Sequence, residues 1–224
     1  MSALLSSPGA VRNDTAPARI GPNAITQVAA VLPAWLGSAT ARTVFEHAGL
    51  LHHWNQPPQS MVDEGEVRQL HLALCAALGA TQAAEVAAAA GCRTADYLLA
   101  HRIPPPAQRV LKALPPGLAA RALLAAVTRH AWTFAGSARF ESGARLVGWH
   151  VQAGADAPAQ AWMTLQHNPL LHPASGPSAG CAFYAAVFER LFRVLVHARS
   201  RVDEVACEAH GAPACRFEVR LVTP

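Results

Sequence analysis

Glu204, Cys207 and Cys215 stand as E-x2-C-x7-C in the last 45 residues of this 224-residue chain, and a third cysteine, Cys181, lies upstream of them. This cluster constrains the fold more than any other feature. The stretch between Cys207 and Cys215 contains Gly211-Ala212-Pro213, a turn that would fold the segment into a hairpin and bring both sulfurs to one end. Cys181 opens an apolar helical run through Phe183, Phe188, Leu191, Phe192 and Leu195. A helix N-terminus there would favour its thiolate form. Three sulfurs and a carboxylate suit a closed four-coordinate zinc site. Two other readings of the same residues stay open: small buried hydrophobes, or a Cys207–Cys215 disulfide. Glu204 and Cys207 are three apart, so on a regular strand they face opposite ways. Either a bulge or turn near Ala206 intervenes or Glu208 is the donor. Cys75 and Cys92 lie in helical stretches and read as core or incidental residues.

Ahead of this cluster the chain changes character once. Residues 19–136 read as helices: from Pro22 towards Trp35 with a stop at Gly37, over Thr43–Ala48, and from Asp63 with Val67, Leu70, Leu74 and Leu78 on one stripe. Further helices cover about 81–101, Ala107 to Leu114, and Leu118 to Trp132 or Phe134. Residues 138–152 read as a hairpin turning at Glu141-Ser142-Gly143, residues 160–166 as a strand, Cys181–His197 as a helix, and Val202–Val222 as two strands. The expectation is an α+β fold: a tail over 1–18, then one domain over 19–224 with a helical part, 19–136, and a mixed part, 137–224.

Composition narrows the function. Charged residues are 14% of the chain, against roughly 25% in soluble domains, while hydrophobic residues reach 52%. Much of that is alanine, and Arg93, Asp96, Arg121 and Arg129 interrupt the longest apolar stretches, so no membrane span is expected. The net charge of +4 comes from scattered arginines, Lys112 being the only lysine, which gives no basic stripe for nucleic acid. The first 18 residues lack the pattern of a secretory signal, and a cytoplasmic location is expected. A homodimer is left open.

The segments Cys181–Tyr184 and Val205–Val219 resemble the vinyl-4-reductase domain family. From about residue 19 to 222, segments such as Arg19–Ile25, Met61–Glu64, Gly91–Tyr97, Arg102–Pro104 and His130–Gly136 are similar to a family of bacteriochlorophyll-biosynthesis proteins. The resemblance implies structural zinc held by Cys181, Glu204, Cys207 and Cys215. It also implies a fold of the kind shared with NO-signalling and Golgi-transport ligand-binding domains, which enclose apolar ligands.

That family points to the 8-vinyl group of a chlorophyll precursor, and three readings follow. The preferred one is an accessory protein that binds and hands over a Mg-tetrapyrrole intermediate resembling divinyl protochlorophyllide, working beside other enzymes of bacteriochlorophyll synthesis. The second is the vinyl reductase itself. It is disfavoured because the sequence has no G-x-G-x-x-G after a strand and no cysteine spacing for an iron–sulfur cluster, so no catalytic residue is assigned. The third is a scaffold for pathway enzymes that binds no pigment. For the pigment reading, His130, Trp132, Trp149, Trp162 and Arg102 are the candidate ligand contacts. His150, His167 and His172 are further candidates for the central Mg, and Arg129 and Arg139 for propionates. For each residue singly, a structural or surface role is the stronger reading.

Overall fold

The computed structural model describes residues 18–151, 158–171 and 179–221. The expected tail therefore lies outside the described residues except for Ala18, and so does His172. The fold is α+β. A two-residue strand β1 (Arg19–Ile20) leads into α1 (Asn23–His47) and the short α2 (Leu51–Asn55). Strand β2 (Val62–Asp63) then pairs antiparallel with β1, setting Ile20 opposite Val62. This ribbon is a small departure from the all-helical expectation for the first half. It exists because Ile20 and Val62 are both buried and their backbones satisfy each other.

Asp63 ends β2 and caps α3 (Glu64–His101), its carboxylate accepting from the Gly65 N–H at 2.7 Å. That is the helix start the acidic residues predict. The stretches expected as separate helices on either side of residue 80 run on as one element, broken at Gly79, whose φ of 73° is open to glycine. Gly37 breaks α1 in the same way, at φ 75°, where the sequence predicts a stop. By length and composition alone α1 and α3 could each cross a membrane, which corrects the expectation from interrupted apolar runs. In this fold both give side chains to the core, including Ile25, Val28, Leu32 and Phe45 from α1 and Val67, Leu70, Leu74 and Val86 from α3.

Helices α4 (Pro105–Ala113) and α5 (Pro116–Arg129) each begin with proline in the first turn, where its missing N–H costs nothing. After a 3-10 turn (Ala131–Thr133) come β3 (Arg139–Ala144), β4 (Ala161–Gln166), α6 (Ala179–Leu195), β5 (Ser200–Ala206) and β6 (Cys215–Leu221). The four strands form an antiparallel sheet in the order β3-β4-β6-β5. On one face Met163, Leu165, Phe217 and Val219 are buried, the alternation expected of a half-covered sheet.

The expected hairpin at 141–143 is not there. Those residues lie inside β3, and Gly143 pairs directly with Trp162. A Cβ at Gly143 would come within 2.9 Å of the Trp162 indole. Glycine stands here to admit a cross-strand ring rather than to make a turn.

Helix α6 joins the two halves. Phe188 lies beside Phe217 of the sheet with ring centroids 5.6 Å apart, and Tyr184 donates its hydroxyl to the Phe134 carbonyl at 2.7 Å. On the other side α6 packs closely on α3. A Cβ at Gly91 would sit 2.3 Å from the Phe183 carbonyl oxygen, so only glycine permits the observed approach.

Candidate metal centre

Cys181 lies in the first turns of α6, Glu204 near the end of β5, Cys207 after it and Cys215 at the start of β6. One donor atom from each lies within 4.8 Å of all the others. The geometric conflict in the sequence is resolved by a bulge. Glu204 pairs with Phe217 and Ala206 with Arg216, so Val205 is an extra residue on β5 that turns Glu204 and Cys207 to the same site. A 3-10 turn (Glu208–His210) and Gly211 at φ 86° then reverse the chain, and the Ala212 N–H returns to the Cys207 carbonyl at 3.2 Å. The reversal delivers Cys215 beside Cys207.

The sulfurs of Cys207 and Cys215 lie 3.6 and 3.3 Å from that of Cys181, and all three cysteines are buried free thiols. A tetrahedral ion with Zn–S bonds of about 2.3 Å needs sulfurs about 3.8 Å apart, so small adjustments make the set fit zinc. Glu204 is the exposed member.

As thiols alone the three sulfurs divide their protons unevenly. Hydrogen bonding with Cys207 and Cys215, together with burial, pushes the Cys181 thiol far up, opposite to the helix-terminus expectation. The same bond to Cys181 holds Cys207 down at about 7 and lowers Cys215. Burial raises Glu204 to about 7. A cluster whose members resist ionising together is one that a dication stabilises.

Surrounding donors are in place. The backbone N–H of Ala209 supports Cys207 and that of Glu208 supports Cys215. Buried Asn168 directs its side-chain amide at Cys181 (3.5 Å) and Cys215 (3.6 Å), while its carbonyl accepts from the Leu170 N–H at 3.0 Å. Glu208, the alternative donor, is otherwise engaged. Its carboxylate accepts the N–H groups of His167 (2.7 Å) and Asn168 (2.8 Å), and Oε2 stands 4.0 Å from the Cys215 sulfur. It fixes the corner that carries Asn168. The sequence reading missed Asn168. A polar residue in a loop rich in Pro and Ser gives no sign that it reaches across to two sulfurs.

The candidate pigment contacts are dispersed. His130 and Trp132 are exposed at the end of α5, and the His130 ring bonds the Ala126 carbonyl at 2.8 Å. Arg102 follows the last turn of α3 with its guanidinium over the Tyr97 ring. Trp149 donates its indole N–H to the Arg145 carbonyl at 2.7 Å and packs against Gly117 of α5. Trp162 carries the Arg216 guanidinium 5.2 Å above its ring and lines a cleft of about 630 Å³ with Arg145, Gln160 and Arg220. Of the five, Trp162 alone lines either this cleft or the larger one of about 890 Å³ beside α2. Arg139 pairs with Glu141, and His167 has φ 61° at the corner held by Glu208.

Residues 167–221 match the vinyl-4-reductase (V-4-R) domain family. The matched span contains all four donors together with Asn168, and it defines the class: a protein with a C-terminal domain of that family. The rest of the chain is also matched by relatives. It is 41% identical over 201 residues to the bacteriochlorophyll synthase 23 kDa chain of Cereibacter sphaeroides, covering 90% of each chain. It is 39% identical over 202 residues to the bacteriochlorophyll synthase 23 kDa chain of Rhodobacter capsulatus, covering 89% of this chain and 85% of that one. The chain belongs to the family of bacteriochlorophyll synthase 23 kDa chains.

Proposed function

We propose that this protein serves bacteriochlorophyll synthesis as an accessory that binds a Mg-tetrapyrrole intermediate resembling divinyl protochlorophyllide, aids reduction of its 8-vinyl group by another enzyme, and keeps its fold closed with a structural zinc. The observation that carries the pathway role is likeness to two bacteriochlorophyll synthase 23 kDa chains over about nine-tenths of this chain. The zinc rests on the three convergent sulfurs and one carboxylate and on the amide donors aimed at those sulfurs.

In this reading Cys181, Glu204, Cys207 and Cys215 fill all four positions of the ion. The ion supplies cross-linking and holds the β5–β6 hairpin against the first turns of α6. Asn168 and the Ala209 and Glu208 N–H groups offset thiolate charge in a buried setting. A filled coordination shell of this kind offers no position to a substrate, so pigment binding belongs to other surfaces of the protein.

The test is a titration of purified protein with divinyl protochlorophyllide, followed by absorbance, and then addition of NADPH and a reduced ferredoxin-type donor. A saturable spectral shift at one pigment per chain, with no conversion, is the expected result. Conversion to the monovinyl product would make the chain the reductase. Flat titrations across several Mg-tetrapyrroles, with partner enzymes still bound, would make it a scaffold.

A further inference from the structure

A second group of donors stands apart from the sulfur cluster, on α2 and the start of α3. His52 and His53 are adjacent on α2, and Glu66 lies in the first turn of α3. One ligand atom from each falls within 4.8 Å of the others. The His53 Nε2 is 3.1 Å from Glu66 Oε2, and the His52 Nε2 is 3.6 Å from Glu66 Oε1, so the two carboxylate oxygens face one ring each. The imidazole centroids are 4.0 Å apart.

The frame behind these groups is firm. Leu50 is buried, and Trp54 packs on Phe45 with centroids 5.3 Å apart. The Asp63 cap and the β1–β2 pairing fix where α3 begins. His53 and Glu66 are mostly covered, whereas His52 is more than half exposed. All three line a cleft of about 890 Å³, whose walls include Arg19, Pro57 and Met61.

We propose that His52, His53 and Glu66 form a second metal site, for a first-row divalent cation, with its free coordination positions facing this cleft. Two imidazoles and one carboxylate are the donor set such cations take. Three protein donors leave room for water or an anionic oxygen ligand, the arrangement of a working rather than a structural site. The site is separate from the cysteine cluster and independent of pigment binding. With one ligand largely in solvent, it binds more weakly than a buried three-sulfur set.

The experiment uses untagged full-length protein dialysed against Co2+, with bound metal counted per chain and the absorption spectrum recorded. Wild type is expected to hold one more equivalent than His53→Ala, His53→Gln or Glu66→Gln. That equivalent should show weak ligand-field bands and no sulfur-to-cobalt charge transfer. Circular dichroism establishes that the variants are folded, and the conservative glutamine changes guard against local collapse. Equal metal counts in wild type and folded variants would overturn the proposal, as would a lost equivalent that carries sulfur charge transfer.

Discussion

The Asn168 side-chain amide donates to the Cys181 sulfur at 3.5 Å, joining the corner after β4 to the first turns of α6. The same amide reaches Cys215 at 3.6 Å. Asn168→Ala should lower zinc affinity about 10–100-fold, the usual cost of removing an outer-shell partner. Asn168→Asp should lower it further by placing negative charge beside thiolates. Competition with a chromophoric chelator measures both, and unchanged affinity in both variants would remove Asn168 from the site.

Cys207→Ser should abolish zinc binding and free the β5–β6 hairpin from α6. Hydrogen exchange should rise across Ser200–Ala206 and Cys215–Leu221 while α1 and the first half of α3 stay protected. A strong chelator should do the same to wild type and lower its melting temperature. A melting temperature that holds after metal analysis shows complete removal would refute a structural role for zinc.

Glu204 and Glu208 should separate cleanly. Glu204→Ala removes a donor and should weaken zinc binding directly, leaving an open position that a small thiol or imidazole can fill. Glu208→Ala removes the acceptor for the His167 and Asn168 N–H groups. It should keep four ligands and lose affinity only to the extent that Asn168 becomes mobile. Cobalt substitution reads the difference, since only Glu204→Ala should alter the ligand-field spectrum.

His71 should make stability depend on pH. The ring is buried against Phe183, neither nitrogen has a partner among the described residues, and burial lowers its pKa from 6.5 to about 4. Between those values the unfolded chain binds a proton that the folded chain refuses. Stability therefore falls as pH drops through this window, by roughly 3 kcal/mol at the lower end. His71→Leu should flatten the profile and be neutral or stabilising at pH 7, because an unpartnered polar group has been removed. Urea unfolding of both proteins from pH 4 to 7 tests this, and parallel profiles would refute it.

Much of the sulfur cluster is legible in the sequence because its donors are close together and a Gly-Ala-Pro turn separates two of them. The bulge at Val205 is legible only as a conflict, since nothing in Val205 itself marks an extra residue. Helix starts at Asp63 and Pro116 follow from local chemistry. The Glu141-Ser142-Gly143 turn fails because glycine has two uses, and the one realised here depends on Trp162, nineteen positions after Gly143. Asn168 and the grouping of Glu66 with His52 and His53 are invisible for a related reason. Each depends on a reversal of the chain that brings distant residues together.

The order of the donors along the chain sets a sequence of events during synthesis. Cys215 leaves the ribosome after all six α-helices and five of the six strands found among the described residues. Until then no complete sulfur set exists to be filled. The nascent helical part must hold together through Ile25, Phe45, Leu70 and their neighbours alone, and a cell short of zinc would accumulate chains arrested one hairpin short of completion.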